Sequence, residues 1–350
     1  MTDNTTTQRR GPPPGAKSDH TQEIDEQELP TLLDPTTCTS KGLCPVTHLR
    51  GQDGDPFESH SLYYEIHGSG PERVVLIMGL NGSFLSWMRQ VEHLSRTGKH
   101  QVLVFDNRGA GNSGTPRGPY TTSAMALDVI ALLDYLGWTE TRGVHMVGIS
   151  LGGMIAQEVA SRIPERLASL MLAVTTPGGP IWSNFPPWVG AVTLARLLFI
   201  TDRDKKVPIA IGMLFSKEWL DAPAEGDDRG RTNRQVQEAD LSWRMTAIRV
   251  QQPIGALSQM WAGLTHHVSA ARLEKIARNV AKVVIATGDD DHLVAPSNSH
   301  YLAKHMPGSE LVVWDKTGHA VQLQRMKEFS ALIERCVDEG RSKAGPPVPQ

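Results

Sequence analysis

The sequence is poor in cysteine and in net charge. Its 350 residues include three cysteines, Cys38, Cys44 and Cys336. Three scattered cysteines cannot build the disulfide framework of a small secreted domain, although Cys38 and Cys44 are near enough in sequence to pair. Lysine and arginine number 35 against 38 aspartate and glutamate residues, which gives a net charge of −3. A chain without a concentrated basic stripe is not expected to bind nucleic acid.

Long apolar runs are also missing. The longest candidate, residues 187–200, is interrupted by Gly190 and Arg196. This run is shorter than the roughly 20 apolar residues that a membrane-spanning helix requires. The charged start of the chain is not followed by the apolar core of a signal peptide. We therefore expect a cytoplasmic protein with no integral membrane segment.

The two ends of the chain lack the periodicity of regular structure. Residues 1–50 are rich in threonine, proline and charge, without sustained helix or strand patterning. Such a segment buries too little apolar area to offset its ordering entropy, so we predict a disordered N-terminal tail. Residues 341–350 end in a glycine- and proline-rich run and are predicted to be a flexible C-terminus.

Short apolar runs alternate with helical patterns through most of the remaining chain. Residues 73–78 (RVVLIM) and 101–105 (QVLVF) are continuous apolar runs, which are typical of strands buried on both faces. Helical patterns separate these strands from similar runs at 143–149 and 167–174, and the same rhythm returns after residue 264. The alternation predicts an α/β protein with a mostly parallel, doubly wound sheet, built from residues 51–176 and 264–340.

The rhythm breaks between residues 177 and 263. This stretch begins with the proline-rich segment PGGPIWSNFPPW, continues with helical patterns and includes a polar loop at 223–233. We predict a helical insertion that covers the sheet as a cap or lid.

One segment of the core carries a recognisable chemical pattern. Residues 147–153 read VGISLGG, so Ser150 is flanked by Gly148 and Gly152 in a G-x-S-x-G arrangement. A nucleophilic serine needs a sharp strand-to-helix turn, where small neighbours let the backbone approach closely. An apolar strand pattern ends before Ser150 and a helical pattern begins after it. The alternative interpretation is an ordinary turn between a strand and a helix.

In this context the sequence resembles the α/β-hydrolase superfamily over about residues 57–340, and the insertion resembles that family's cap. The resemblance implies a catalytic triad in the order serine, acid, histidine. The acid follows a glycine by three residues, which selects Asp291 after Gly288, with Asp289 and Asp290 as rivals. The other loop that carries the acid in some relatives, residues 175–178, has no carboxylate here.

The same resemblance selects His319, which follows Gly318 after the last predicted strand. Other histidines are weaker candidates. His145 lies inside a strand pattern, His292 neighbours the acid loop, and His266 and His267 are near the end of the insertion, where they could line a pocket.

The oxyanion hole of this family uses two backbone N–H groups. The resemblance assigns them to Leu151 and Leu80, the latter following Gly79 in the loop 78–82. Many relatives carry His-Gly where this chain has Met78-Gly79, which weakens analogies about substrate. The segment from Asp106 to Ser113 resembles a structural loop of the family, in which Asp106 and Arg108 fix the turn beside the site through charge-assisted hydrogen bonds.

These residues together predict a serine hydrolase that cleaves an ester of a small molecule and needs no cofactor or metal. The apolar insertion favours an apolar acyl or aromatic ester or a lactone, although its apolar residues could equally serve only to pack the insertion onto the core. Thioesters and carbon–carbon bonds are alternative substrates on the same scaffold. A ligand-binding receptor with a vestigial triad is an alternative of another class. The physiological substrate and the oligomeric state leave no pattern in the sequence.

Overall fold

A computed structural model describes residues 30–52 and 60–349 of the protein. Residues 31–350 form one unit, and residues 1–30 form another, of which Pro30 alone is described. The strands are β1 (Cys38–Cys44), β2 (Leu62–His67), β3 (Glu72–Ile77), β4 (His100–Phe105), β5 (Val144–Ile149), β6 (Leu167–Ala173), β7 (Lys282–Gly288) and β8 (Glu310–Trp314).

Thirteen α-helices accompany these strands within the described residues. They are α1 (Val46–Leu49), α2 (Met88–Ser95), α3 (Thr122–Tyr135), α4 (Leu151–Arg162), α5 (Trp188–Phe199), α6 (Arg203–Leu214), α7 (Lys217–Asp221), α8 (Asn233–Ala247), α9 (Pro253–Leu264), α10 (Ala270–Asn279), α11 (Ser297–His305), α12 (Val321–Gln324) and α13 (Met326–Ala344). Short 3-10 helices lie at Phe84–Trp87, Pro164–Arg166 and Ile181–Ser183.

The eight strands form one sheet in the order β1-β2-β4-β3-β5-β6-β7-β8. Strand β2 pairs antiparallel with both β1 and β4, and every pairing from β4 to β8 is parallel. The predicted α/β fold with a mostly parallel sheet is therefore confirmed. Because parallel strands run in the same direction, the loops that follow β3, β5, β7 and β8 all lie at the carboxyl ends of the strands.

Successive side chains of each strand point to opposite faces of the sheet, and helices cover the apolar side chains on both faces. On one face, Met146 of β5 and Leu170 of β6 join the apolar cluster that includes Ile155 of α4. On the other face, Ser169 of β6 lies against Gly340 of α13, where a Cβ on the glycine would be 2.6 Å from the serine Cβ. The doubly wound arrangement follows from this alternation.

The predicted disordered tail is wrong where the structure describes it. Residues 38–44 form β1, which pairs along β2 from Cys44 opposite Leu62 to Cys38 opposite His67. The strand is at the edge of the sheet and only Cys44 in it is buried, so it needs backbone pairing rather than an apolar pattern. Cys38 and Cys44 are both free thiols at opposite ends of this strand. The rest of the predicted tail, residues 1–29, lies outside the described residues.

The predicted flexible C-terminus is also wrong over most of its length. Helix α13 continues to Ala344, and Arg341 makes hydrogen bonds of 3.0 and 2.9 Å to the two carboxylate oxygens of Glu72. Beyond the helix, Val348 and Thr141 exchange backbone hydrogen bonds of 2.9 and 2.8 Å. Charge pairing and backbone pairing therefore fix a segment whose composition indicated neither.

The interval 177–263 contains helices α5 to α8 and nearly all of α9. It lies between β6 and β7 in the chain, and we refer to residues 177–263 as the insertion. Across residues 30–52 and 60–349, none of the helices combines the length and the apolar composition that crossing a bilayer requires.

Candidate active site

Ser150 occupies the turn between β5 and α4. Its φ of 55° and ψ of −122° lie in a region that residues other than glycine rarely adopt, which costs about 1–3 kcal/mol. The surroundings stabilise this conformation. The Ser150 N–H donates to the Ala173 carbonyl at 2.9 Å, and the Thr175 hydroxyl donates to the Ser150 carbonyl at 2.7 Å. The backbone of the turn is therefore fixed from β6 while the serine side chain remains partly exposed.

Two glycines make this turn sterically possible. A Cβ on Gly148 would lie 2.4 Å from the Gly152 carbonyl oxygen. A Cβ on Gly152 would lie 2.1 Å from the Ile77 carbonyl oxygen at the end of β3. Real Cβ atoms do not approach so closely, so the close contact of β3, β5 and α4 requires both glycines.

His319 and Asp291 meet at the carboxyl ends of the strands. The distance between His319 Nδ1 and Asp291 Oδ2 is 2.8 Å, and both side chains are buried. The other oxygen of Asp291, Oδ1, accepts the N–H groups of Leu293 and Val294 at 2.8 and 2.9 Å. These bonds orient the carboxylate, which in turn fixes the proton on His319 Nδ1 and leaves Nε2 as the basic nitrogen.

The rival aspartates of this loop point elsewhere. Asp289 accepts the Thr317 N–H at 3.3 Å. Asp290 pairs with His292 Nε2 at 3.1 Å, and both of these side chains are about half exposed. Of the three consecutive aspartates, Asp291 is the one that contacts His319.

The other histidines lie away from this contact. His145 is buried between Glu72 and Ser169, at 2.8 Å from each. His266 is buried with its Nδ1 2.9 Å from the Thr122 hydroxyl, and burial lowers its pKa to about 3. His267 is exposed.

Ser150 and His319 both lie at the carboxyl ends of the strands, but no hydrogen bond joins their side chains. Among the hydrogen bonds of the described residues, none joins Ser150 Oγ to His319. In serine hydrolases this contact is often long without substrate and tightens in the reacting complex. The structure thus brings the acid to the histidine and places the serine on the adjacent loop.

The loop after β3 lies directly against Ser150. A Cβ on Gly79 would be 3.0 Å from Ser150 Cβ and 3.6 Å from its Oγ. The loop closes on itself through a hydrogen bond of 3.2 Å from the Gly82 N–H to the Gly79 carbonyl. Within the described residues, the N–H groups of Leu80 and Leu151 donate to no protein acceptor. Two N–H groups at this position form the kind of site that stabilises an oxyanion.

The loop from Asp106 to Ser113 supports the loop after β3 through hydrogen bonds of Asp106 and Asn107. Asp106 accepts the N–H groups of Phe84 and Asn112 at 2.9 and 2.7 Å, and burial raises its pKa to about 7. The Asn107 amide, between the two predicted residues, donates to the Met78 carbonyl at 2.9 Å.

Arg108 points away from Asp106 and binds Asp128 of α3. Its Nε and Nη2 lie 2.6 and 2.7 Å from the two carboxylate oxygens of Asp128. This pair is buried, and Arg108 together with His60 lowers the pKa of Asp128 to about 2. The salt bridge therefore fixes the loop to α3.

Comparison with known proteins identifies the family to which this chain belongs. Residues 72–325 match the family described as having the alpha/beta hydrolase fold. The chain belongs to the α/β-hydrolase family. This membership confirms the resemblance that the sequence motifs indicated.

Curated relatives of this α/β-hydrolase include proteins with different named substrates. The protein that carries the provisional name carbamate hydrolase RutD in Caulobacter segnis is 30% identical over 265 residues, which cover 74% of this chain and 90% of that protein. The poly(3-hydroxyalkanoate) depolymerase of Ectopseudomonas oleovorans is 27% identical over 245 residues, covering 70% and 77% respectively. The chain is accordingly a hydrolase of this fold.

Solved structures agree on the architecture. The enol-lactonase from Burkholderia xenovorans has a TM-score of 0.64 and 20% identity, and the match covers 80% of this chain and 97% of that one. At this identity the likeness shows the fold alone.

The insertion of the hydrolase contacts the histidine and acid loops. The Ala320 N–H donates to the carbonyl of Leu214, at the end of α6, at 2.9 Å. Helix α5 packs on the acid loop so closely that a Cβ on Gly190 would lie 2.1 Å from the His292 carbonyl oxygen. These contacts place α5 and α6 beside Asp291 and His319.

The insertion contacts the other two loops through α9. Gln259 accepts the N–H of Asn81, in the loop after β3, at 2.9 Å. A Cβ on Gly263 would lie 3.9 Å from Leu151 Cδ1, next to Ser150. All four loops of the candidate site thus contact the insertion. No sequence pattern pointed to Gln259, because it belongs to no motif and is 178 residues from Asn81.

A cluster with metal-ligand chemistry lies elsewhere, at the β1–β2 edge of the sheet. One ligand atom each of Cys38, Glu65 and His67 lie within 4.8 Å of one another. Both Glu65 oxygens already accept hydrogen bonds, from Tyr63 at 2.6 Å, Thr31 at 2.5 Å and His67 at 2.8 Å. We therefore interpret the cluster as a hydrogen-bonded part of the sheet edge, which the sequence analysis did not foresee.

Proposed function

We propose that the protein is a serine hydrolase that cleaves the carboxylic ester, or lactone, of an apolar small molecule through an acyl-enzyme. Ser150 is the nucleophile, His319 the general base and Asp291 the residue that orients the histidine. The observation that carries this proposal is the 2.8 Å contact of His319 with Asp291, on loops adjacent to a serine in a strained strand-to-helix turn. This combination is the usual arrangement of an activated serine.

The reaction follows from these roles. His319 Nε2 takes the Ser150 proton as Oγ forms a bond to the substrate carbonyl carbon, and the N–H groups of Leu80 and Leu151 stabilise the resulting oxyanion. The bond to the leaving alkoxide then breaks, and His319 donates its proton to that oxygen. Water attacks the acyl-enzyme with His319 as base, which releases the carboxylic acid and restores Ser150.

The side chains of the insertion support an apolar substrate. Trp182, Trp188 and Phe199 are 80%, 81% and 84% exposed, so they do not serve to pack the insertion onto the core. Trp188 and Phe199 belong to α5, whose opposite side packs on the acid loop at Gly190. Exposed apolar side chains of this size are typical of a surface that binds apolar groups, so their concentration in the insertion supports acyl chains or aromatic groups over polar substrates.

Carbamates are a second candidate, favoured by the 30% identity to the provisionally named carbamate hydrolase. A carbamate carbonyl accepts the same attack by Ser150 and the same two N–H groups. The proposed site has no group that would select between the two linkages, so the choice depends on how the insertion binds the rest of the substrate.

The decisive experiment compares the wild-type protein with Ser150→Ala on a panel of p-nitrophenyl esters, lactones, thioesters and an aryl carbamate. We expect ester hydrolysis that the variant lacks, and labelling of wild type alone by a fluorophosphonate probe. Ester turnover should rise from acetate to octanoate. Undiminished hydrolysis by Ser150→Ala would contradict the assigned nucleophile. Failure of wild type to label would favour a receptor with a vestigial triad, and a flat chain-length series would contradict the apolar substrate.

A further inference from the structure

A single glutamine joins the insertion to the oxyanion loop. Gln259 of α9 is fully buried, and both ends of its side-chain amide are used. Its Oε1 accepts the Asn81 N–H at 2.9 Å, and its Nε2 donates to the Arg108 carbonyl at 2.8 Å. One side chain of the insertion thus connects the loop after β3 with the loop after β4.

Its partner Asn81 has a backbone conformation that depends on such support. Asn81 has a φ of 55°, in the left-handed region, and it directly follows Leu80. The direction of the Leu80 N–H is set by this short turn, whose start is fixed at Met78 by the Asn107 amide. The hydrogen bond to Gln259 fixes its other end, because it satisfies the Asn81 N–H only when the turn has this shape.

The position of Gln259 is itself closely defined. Gly255, one turn earlier in α9, packs backbone to backbone on the loop after β4, and a Cβ there would be 2.6 Å from the Gly109 carbonyl oxygen. Gln251, just before α9, donates to the same Gly109 carbonyl at 2.8 Å. Helix α9 therefore cannot slide along this loop without losing the contacts of Gln251 and Gly255.

From these contacts we propose that Gln259 is a positioning residue, through which the insertion sets the geometry of the oxyanion hole. The inference rests on the proposed function, since it assigns Leu80 the role of a donor to the transition state. It adds that transition-state stabilisation depends on where α9 lies, and not on the loop after β3 alone.

The variant Gln259→Met tests this role, because methionine keeps the length of the side chain and has no strong hydrogen-bonding group. We expect kcat for a short ester to fall about 10- to 100-fold, as for a misplacement on the order of 1 Å at a reacting centre. KM should stay within about 3-fold of wild type, because the oxyanion forms only in the transition state. A purely structural role would lower the melting temperature without this division between kcat and KM.

A matched control is available at the same junction. Gln251→Met removes the same kind of donor to the neighbouring carbonyl, but Gln251 does not contact Asn81. Because the backbone contact of Gly255 with Gly109 still holds α9 in place, we expect a comparable loss of thermal stability with kcat within about 3-fold of wild type. If Gln259→Met is insoluble, Gln259→Asn keeps a polar amide that is one methylene too short to reach Asn81, and kcat should again fall about 10-fold.

The order of measurement separates this inference from the function on which it depends. Wild type is first labelled with a fluorophosphonate probe and assayed on the short ester, and failure there overturns the proposed function. If wild type labels and turns over, an unchanged kcat in the folded Gln259 variant overturns the positioning role alone. An equal fall of kcat in Gln251→Met would also overturn it, because a general weakening of the junction would then explain the loss.

Discussion

Asp291 contacts His319 through one carboxylate oxygen and the backbone of its own loop through the other. The carboxylate is therefore held in place independently of the histidine. Asp291→Asn keeps this shape but can offer an N–H to Nδ1, which favours the wrong tautomer of His319. We expect kcat to fall about 10³- to 10⁴-fold, the size seen for this change in other serine triads. Steady-state ester hydrolysis measures it.

The neighbouring Asp290 provides the control for that prediction. It is half exposed and pairs with His292 rather than with His319. Asp290→Asn should remain within about 3-fold of wild type in kcat, as expected for a charge outside the reacting groups. Equal losses in the two variants would contradict the assignment of Asp291 as the orienting acid.

Backbone strain at Ser150 predicts a stability gain when that strain is removed. Ser150 has a φ of 55°, which glycine adopts at little cost. We expect Ser150→Gly to raise the free energy of unfolding by about 1 kcal/mol and to abolish turnover. Ser150→Ala retains the Cβ and should show no such gain, and urea unfolding of both variants measures the difference. Equal stabilities would indicate that the turn stores no backbone strain.

Because α4 contacts β3 closely, the change in stability on replacing a helical glycine by alanine should depend strongly on its position. Gly152→Ala would place a Cβ 2.1 Å from the Ile77 carbonyl oxygen, so we expect a loss of roughly 3 kcal/mol or more, beyond ordinary overpacking. Gly212 of α6 has open space around its Cβ direction, and Gly212→Ala should stabilise by roughly 0.5–1 kcal/mol. Thermal melting of the pair provides the test, and a well-tolerated Gly152→Ala would contradict the packing described here.

Two buried groups give opposite pH dependences in the same range. Burial lowers the pKa of His266 from 6.5 to about 3, so between these values the unfolded chain binds the extra proton and stability rises with pH. Burial raises the pKa of Asp106 from 3.8 to about 7, so the folded protein keeps the proton and stability falls as pH rises. Each slope is about 1.4 kcal/mol per pH unit, and the two cancel between about pH 4 and 6.5.

Removing one of these two titrating groups should reveal the pH dependence of stability that the other one causes. In His266→Asn the amide can still bind the Thr122 hydroxyl, and the free energy of unfolding should decrease from pH 4.5 to 6.5 by about 1 kcal/mol per unit. Asp106→Asn should show the opposite slope. Urea unfolding at several pH values measures both, and a His266→Asn curve parallel to wild type would refute the compensation.

Sequence patterns were informative where one element determines its own position. The buried strands showed continuous apolar runs, so β3 to β6 could be predicted to within about two residues. The resemblance to the family, whose acid follows a glycine by three residues, selected the carboxylate that lies beside His319. These features are local, because each depends on residues close in the chain.

Features that depend on distant partners had no local signal. Strand β1 is polar and exposed, and it forms because β2 offers an edge with unpaired backbone groups. Gln259 looks like any polar residue of an amphipathic helix, and its role follows from where α9 meets the loops after β3 and β4. The same holds for Arg341, whose partner Glu72 lies 269 residues earlier.

The contacts of the insertion with all four loops have a consequence for engineering. A cap from a relative, transplanted between β6 and β7 to alter substrate preference, would bring foreign side chains to the positions of Gly190, Leu214, Gln259 and Gly263. A chimaera made in this way would change turnover together with selectivity unless the four contact positions were carried over. The insertion and the loops beneath it should therefore be exchanged, and should diversify among relatives, as one unit.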